Sequence, residues 1–192
     1  MSAKASETRP LFIPVLLGTP RQGRMSEHVA RFVHGEVAKR AGVETELIDV
    51  RELPFPLTDE GEAIKDEAFS AAMARADALI IVTPEYNHGY PGVLKHALDT
   101  NLKEYIHKAV GVCGVSAGGF GGTRVIQSLL PVLRELGLVN IFWDGNFSNS
   151  YQLFDEAGAL LDQSYVKRLD KFLAELIWMA KVLRYGRENV PI

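Results

Sequence analysis

The segment 77–99 constrains the fold of this 192-residue chain more than any other. The apolar run 78–82 is rich in β-branched residues and lacks polar alternation, which is typical of a strand buried on both faces. Thr83 and Pro84 end the run, a polar and aromatic loop follows, and helical spacing of apolar residues resumes at Val93. In an open parallel sheet, ligands bind at the strand ends that carry such loops.

Strands and helices alternate along the rest of the chain, without repeats or a linker. This order predicts a parallel sheet with right-handed crossovers and helices on both faces. Pro14 is expected to distort the first strand or delay its start, and Pro131 to kink the fourth helix. Ser26 is the predicted N-cap of the first helix and Gly42 its end. The predicted strands are 11–17, 43–50, 77–82, 108–115 and 138–143, and the other predicted helices are 62–75, 91–102, 120–136 and 162–185, with 144–161 as a loop.

Composition limits the function. The net charge of −3 gives no indication of a nucleic acid or membrane partner. The single cysteine, Cys113, lies in an apolar run, which predicts a buried structural thiol. With one cysteine the chain can form no internal disulfide, which fits a reducing cytoplasm. Residues 1–10 lack the apolar core of a signal peptide and are expected to be frayed. The length favours one domain over 1–192.

The first loop, 18–26, reads GTPRQGRMS and precedes a predicted helix. Helix N-termini attract anions, and Thr19, Arg21, Arg24 and Ser26 add hydrogen-bond donors. A solvated basic loop with a serine N-cap explains these residues equally well. The chain has neither G-x-G-x-x-G nor G-x-x-x-x-G-K-[ST], so a terminal phosphate is favoured over a pyrophosphate.

The loop 116–123, SAGGFGGT, has four glycines within five residues. Glycines let the backbone approach a ligand and turn N–H groups toward it, although a flexible turn is the simpler alternative. Residues 114–118 also match the hydrolase motif G-x-S-x-G, which requires a later acid and histidine. All five histidines precede Ser116, so a serine hydrolase is disfavoured and Ser116 is interpreted as a hydrogen-bond donor.

The segment 84–99, PEYNHGYPGVLKHALD, resembles the flavin-contacting segment of the NADPH-dependent FMN reductase family, whose pattern is P-E-Y-N…P-G-x-L-K-x-x-x-D. The first loop is similar to the family's phosphate loop, G-[ST]-x-R-x-x-S, with one extra residue before Ser26. Either Arg24 or Ser26 therefore contacts the phosphate in this comparison. The loop 116–122 resembles the family's S-x-G-x-x-G-G, which lines the edge of the flavin. The resemblance covers about 11–180 and is specific in these three loops.

The resemblance implies an α/β, flavodoxin-like three-layer sandwich with a five-stranded parallel sheet in the order 2-1-3-4-5. It implies FMN as the cofactor, with NADPH or NADH as a transient co-substrate. It also implies a homodimer or homotetramer, with the helix that starts near Tyr90, Val93 and Leu94 at the interface. The implied FMN-binding residues are Thr19, Arg21, Arg24 and Ser26 for the phosphate, Pro84, Glu85, Tyr86 and Asn87 for the ring, and Ser116, Gly118 and Gly119 for the ring edge.

The expected activity is hydride transfer from NAD(P)H to bound FMN, then electron transfer to a quinone, free flavin, azo dye or metal ion. The flavin carries this chemistry, so we assign no catalytic acid or base, and no metal site. The alternative is a flavodoxin-type electron carrier that does not oxidise a nicotinamide, although carriers are usually more acidic than −3. A module without flavin is disfavoured by the intact loops. Trp143 and Trp178 are interpreted as core or subunit-contact residues.

Overall fold

A computed structural model describes residues 9–54 and 65–191. The expected fraying at 1–8 and the predicted helix start at 62–64 lie outside the described residues. The strands are β1 Leu11–Phe12, β2 Val15–Leu17, β3 Val43–Glu44, β4 Leu47–Asp49, β5 Ala78–Pro84, β6 Ala109–Val115, β7 Val139–Asn140 and β8 Gly145–Phe147. In the main sheet the neighbouring strands follow the order β4-β2-β5-β6-β7, and β8 also pairs with β6. β1 and β3 form a separate pair, and every pairing between these strands is parallel.

This sheet arrangement differs from the predicted five strands, since the described residues form eight, and the predicted strands 11–17 and 43–50 are each divided in two. Pro14 accounts for the first break, because proline has no N–H to donate to a neighbouring strand. Hydrogen bonds continue around the break, from Ile13 N to Glu44 O at 2.9 Å and from Val15 N to Glu46 O at 2.8 Å. The prediction of a loop over 144–161 is wrong at its start, where β8 pairs with β6.

Helices cover both faces of the sheet, so the predicted α/β class is confirmed. The helices are α1 Ser26–Ala38, α2 Glu67–Arg75, α3 Gly92–Asp99, α4 Thr123–Glu135 and α5 Ser164–Asn189. One cluster of buried apolar side chains joins α1 and α5 to one face of the sheet, and a second joins α2, α3 and α4 to the other. None of the helices within 9–54 and 65–191 has the length and apolar character needed to cross a bilayer.

The central strands β5 and β6 are buried along their whole length, as predicted for 78–82. Successive side chains of β5 alternate between the two clusters, with Ile80 on the α1 and α5 side and Ile81 on the other. Gly111 of β6 leaves room for Phe172, because a Cβ there would lie 2.3 Å from the phenyl ring. Cys113 is fully buried, and burial raises the pKa of its thiol, which confirms the prediction of a structural cysteine.

Leu94 takes a position that the sequence did not predict. It is fully buried, and a Cβ on Gly18 would lie 2.9 Å from its Cδ2, so Leu94 does not face a subunit interface. Trp143 and Trp178 are 45% and 60% exposed, so neither is a core residue, and their alternative interpretation as subunit contacts stays a prediction.

Asp77, just before β5, is a buried carboxylate surrounded by arginines. Arg9 donates to both of its oxygens at 2.7 and 2.9 Å, and Arg187 donates at 3.0 Å. Arg184 lies 3.6 Å away, and the backbone N–H of Phe12 donates at 3.1 Å. The carboxylate therefore joins the first strand, β5 and the last turns of α5.

We expect Asp77→Asn to lower the free energy of unfolding by about 3–5 kcal/mol, because it removes the charge of a fully buried carboxylate and leaves Arg184 and Arg187, which are 10% and 21% exposed, without that partner. Asp170→Asn is the matched control, since Asp170 pairs with Arg40 at an exposed position and such pairs contribute about 1 kcal/mol or less. Urea unfolding of both variants measures the difference. Equal losses would contradict the assigned role of Asp77.

Candidate active site

The loops that follow β2, β5 and β6 meet at one edge of the sheet and enclose a cleft of about 190 Å³. A second depression, of about 430 Å³, shares Arg21 and Tyr86 with the cleft and is otherwise lined by Thr19, Pro20, Pro91, Gly92 and Val93. The cleft is lined by Arg21, Gly23, Arg24, Met25, Ser26, Pro84, Glu85, Tyr86, Val115, Ser116, Ala117, Ser150 and Tyr151.

Helix α1 points its N-terminus into the cleft, and the predicted cap residue takes a different place. Met25 is the N-cap and Ser26 is the first helical residue, so the prediction of Ser26 as N-cap is wrong. Ser26 is 1% exposed, and its Oγ has no hydrogen-bond partner within the described residues. A buried hydroxyl without a partner is unfavourable, so this atom has unused capacity to bind a ligand.

The two arginines of the first loop differ in their surroundings. Arg24 is 5% exposed, and its guanidinium bonds both carboxylate oxygens of Asp49 and the carbonyl of Thr19. Its Nε lies 3.4 Å from Glu27. Arg21 has no salt bridge within the described residues, and its guanidinium lies 3.9 Å above the ring centre of Tyr86. Arg24 is thus tied into the fold, whereas Arg21 retains its donors for a ligand.

Thr19 and Tyr86 connect the first and second loops. Thr19 is fully buried, and its Oγ1 shares a 3.2 Å hydrogen bond with the phenolic oxygen of Tyr86. The backbone N–H of Arg21 donates to the same Oγ1 at 3.4 Å. Thr19 therefore lies beside the cleft and holds the ring of Tyr86 at its wall.

Residues 86–89 form a tight two-residue hairpin. Tyr86 N donates to Gly89 O at 2.9 Å, and Gly89 N donates to Tyr86 O at 3.0 Å. Asn87 and His88 have positive φ values of 51° and 66°, as a type I′ turn requires. Both residues are exposed at the tip and outside the lining of the cleft, unlike Pro84, Glu85 and Tyr86.

Glu85 joins the second loop to the start of α4. Its side chain is 8% exposed and accepts hydrogen bonds from the backbone N–H of Arg124 at 3.2 Å and from the Arg124 guanidinium at 3.3 Å. A carboxylate at a helix N-terminus is stabilised by the free N–H groups and the helix dipole. Glu85 therefore fixes the glycine-rich loop relative to the second loop.

The glycine-rich loop has a packed half and an open half. A Cβ on Gly122, whose φ is +74°, would lie 2.6 Å from the backbone of Gly114. Gly118 and Gly119 are exposed, and a Cβ on either would have no neighbour within 4 Å. Ser116 lines the cleft and donates to the Gly118 carbonyl at 2.9 Å. Within the described residues its hydroxyl has no hydrogen bond to a histidine.

Sequence reasoning missed three residues at this site. Asp49 binds Arg24, and Ser150 and Tyr151 complete the wall of the cleft. The backbone N–H of Ser150 donates to Ser116 O at 3.1 Å, which brings this segment against the glycine-rich loop. No sequence signal identified Ser150 and Tyr151, because they lie in a polar stretch far along the chain from the other loops.

Comparison with known proteins identifies the family of this chain. The profile of the NADPH-dependent FMN reductase family matches residues 13–152. An NAD(P)H-dependent FMN reductase of Schizosaccharomyces pombe is 36% identical over 131 residues, which cover 62% of this chain and 64% of that protein. An NAD(P)H:quinone oxidoreductase of Solanum tuberosum is 33% identical, covering 74% of this chain and 78% of that protein.

The fold has solved counterparts. FerB of Paracoccus denitrificans, a flavoenzyme NAD(P)H:(acceptor) oxidoreductase, superposes with a TM-score of 0.75 at 23% identity and covers 89% of this chain and 98% of that chain. The chain therefore belongs to the NADPH-dependent FMN reductase family. The family profile and the S. pombe relative agree with the predicted enzyme class and with FMN and NAD(P)H as its cofactor and co-substrate. The chain spans slightly less than two thirds of its S. pombe relative.

We expect Gly122→Ala to lower the free energy of unfolding by more than about 2 kcal/mol, since positive φ alone costs a non-glycine residue about 1–2 kcal/mol and the new Cβ also meets backbone. Gly119→Ala is the matched control and should change stability by less than about 0.5 kcal/mol. Urea unfolding of the two variants provides the test. Similar stabilities would show that the loop is not divided in this way.

Proposed function

We propose that the cleft binds FMN with its phosphate at the N-terminus of α1. The observation that carries the proposal is the buried, unpartnered Oγ of Ser26 in the first turn of that helix. Free backbone N–H groups and the helix dipole favour a phosphate at this position. Arg21, which has no acidic partner within the described residues, supplies the cationic contact. Arg24 acts indirectly, by fixing the loop through Asp49.

The ring of FMN is assigned to the second and third loops. Pro84, Glu85 and Tyr86 line the wall that follows β5, and Ser116 lines the facing wall. Asn87, Gly118 and Gly119 lie outside the lining and are assigned to the outer edge of the ring. The open space at Gly118 and Gly119 supports this assignment, because a ligand can approach their backbone closely.

FMN, when bound, supplies the acceptor for a hydride from NAD(P)H and passes the electrons on to a second substrate. The protein binds the phosphate, orients the ring and leaves one side of it open for a nicotinamide. Quinones are the proposed acceptors, since a quinone oxidoreductase is among the relatives, and azo dyes, free flavins and metal ions follow from the family resemblance. The second candidate remains a flavodoxin-type carrier, which uses the same site without NAD(P)H.

We infer further that the chain forms one cytoplasmic domain and that its split strands correspond to a five-stranded order 2-1-3-4-5. β1 and β2 follow one another along the chain, and so do β3 and β4. Hydrogen bonds from Ile13 N to Glu44 O and from Val15 N to Glu46 O continue between the two breaks, which supports counting each couple as one strand of this order.

We also infer a homodimer or homotetramer. Tyr90 and Val93, both partly buried, remain available at the start of α3 for that interface, and Leu94 does not.

The phosphate assignment predicts that Arg21→Ala and Ser26→Ala each weaken FMN binding about ten- to hundredfold, because each removes a hydrogen bond to a charged group. Riboflavin, which lacks the phosphate, should lose much less affinity. Flavin fluorescence titration measures both constants. Ser26→Ala should not lower the free energy of unfolding, because the hydroxyl it removes has no hydrogen-bond partner within residues 9–54 and 65–191.

Arg31→Ala provides the control for a lost guanidinium on α1, since Arg31 is two-thirds exposed and, among the residues that the structure describes, pairs with Glu27 alone. Its FMN affinity should equal that of the parent protein. Equal losses for FMN and riboflavin in Arg21→Ala would assign Arg21 to the ring or to the fold instead of the phosphate.

Anaerobic mixing with NADPH or NADH separates the reductase from the carrier. A reductase must let nicotinamide stack against the flavin, so the absorbance of FMN-loaded protein should bleach in a single turnover and return when a quinone is added. Stopped-flow absorbance records both steps, with dithionite as the control reductant. Bleaching by dithionite alone would favour the carrier.

A further inference from the structure

A separate cavity of about 290 Å³ lies between segment 143–147 and α5. None of its lining residues lines the proposed FMN cleft. Its aromatic lining comes from Trp143, Phe147, Tyr165 and Phe172. Phe147 and Tyr165 stack at 5.2 Å between ring centres, with 17° between their planes. An aromatic lining around a volume near the lower end of ligand pockets favours a small planar aromatic ligand.

Two cations of α5 line the same cavity. Arg168 and Lys171 form no salt bridge within the residues that the structure describes, and each lies over an aromatic ring instead. The Arg168 guanidinium is 4.8 Å from the ring centre of Tyr165, and the Lys171 ammonium is 5.8 Å from that of Trp143. Cations without an acidic partner are available to bind an anion.

Asp144 is the carboxylate in the lining, and it would repel an anion if it were fully charged. Burial raises the pKa of Asp144, so the repulsion is relieved at a higher pH than it would be for an exposed aspartate. No hydrogen bond or salt bridge holds its side chain within the described residues. Its protonated form can donate a hydrogen bond to a ligand oxygen.

We propose that this cavity binds a planar aromatic carboxylate, separately from FMN. The aromatic ring packs against Trp143, which is 45% exposed, and the carboxylate binds Arg168 and Lys171. Segment 145–150 joins the two sites, because Ser116 N donates to Phe147 O and Ser150 N donates to Ser116 O, each at 3.1 Å. The cavity therefore adjoins the glycine-rich loop without sharing its ligand.

The test is isothermal titration calorimetry of the FMN-saturated protein with 2-naphthoate. We expect saturable binding with one ligand per chain. The neutral analogue 2-naphthamide should bind about tenfold or more weakly, because it lacks the charge that Arg168 and Lys171 recognise. Arg168→Gln and Lys171→Gln should each weaken 2-naphthoate about tenfold, and both residues are exposed enough for the fold to survive.

Lys167→Gln is the matched control, since Lys167 is exposed on the same helix but does not line the cavity. Its affinity for 2-naphthoate should equal that of the parent protein. Equal affinity for the acid and the amide, an equal loss in Lys167→Gln, or competition with FMN would overturn the proposal. Loss of binding as the chain self-associates would overturn it too, and would assign this face to a second copy.

Discussion

The parallel pairing of β5 with β6 positions the site. Seven residue pairs join the two strands, from Ala78 with Ala109 to Pro84 with Val115, and every residue of both strands is buried. Because the pairing ends at Pro84 and Val115, the second and third loops leave the sheet at the same level. Two loops far apart in sequence therefore face one another across a short cleft.

Contacts between loops then fix their relative positions. Glu85 reaches from the second loop to the N-terminus of α4, and Thr19 reaches from the first loop to Tyr86. Gly122 lies directly against the backbone of Gly114. These contacts hold the walls of the cleft in place, while Ser26 Oγ and the guanidinium of Arg21 keep hydrogen-bonding capacity for a ligand. A site arranged in this way rearranges little when a phosphate binds, so little binding free energy is lost to ordering the loops.

The N-terminal end of β5, opposite the cleft, carries contacts that stabilise the fold. Asp77 binds Arg9 and Arg187 there and so holds the first strand and the end of α5 to the sheet. Lys108 lies nearby, where it donates to the last turn of α2 and where burial lowers its pKa to about 8. Charged groups are thus buried at the end of the sheet away from the cleft, and their cost is offset by hydrogen bonds that join separate elements.

The sequence by itself determined the α/β class, the buried run at 78–82, the three loops and the family, because these depend on local periodicity and short motifs. Tertiary structure alone decided that Arg24 binds Asp49 and that Ser26 lies within α1 with a hydroxyl that has no partner among the described residues. It also brought Tyr151 to the cleft, 28 residues beyond the end of the third loop at Thr123. These features depend on contacts between distant residues, and periodicity within one segment carries no information about which partner a side chain meets in space.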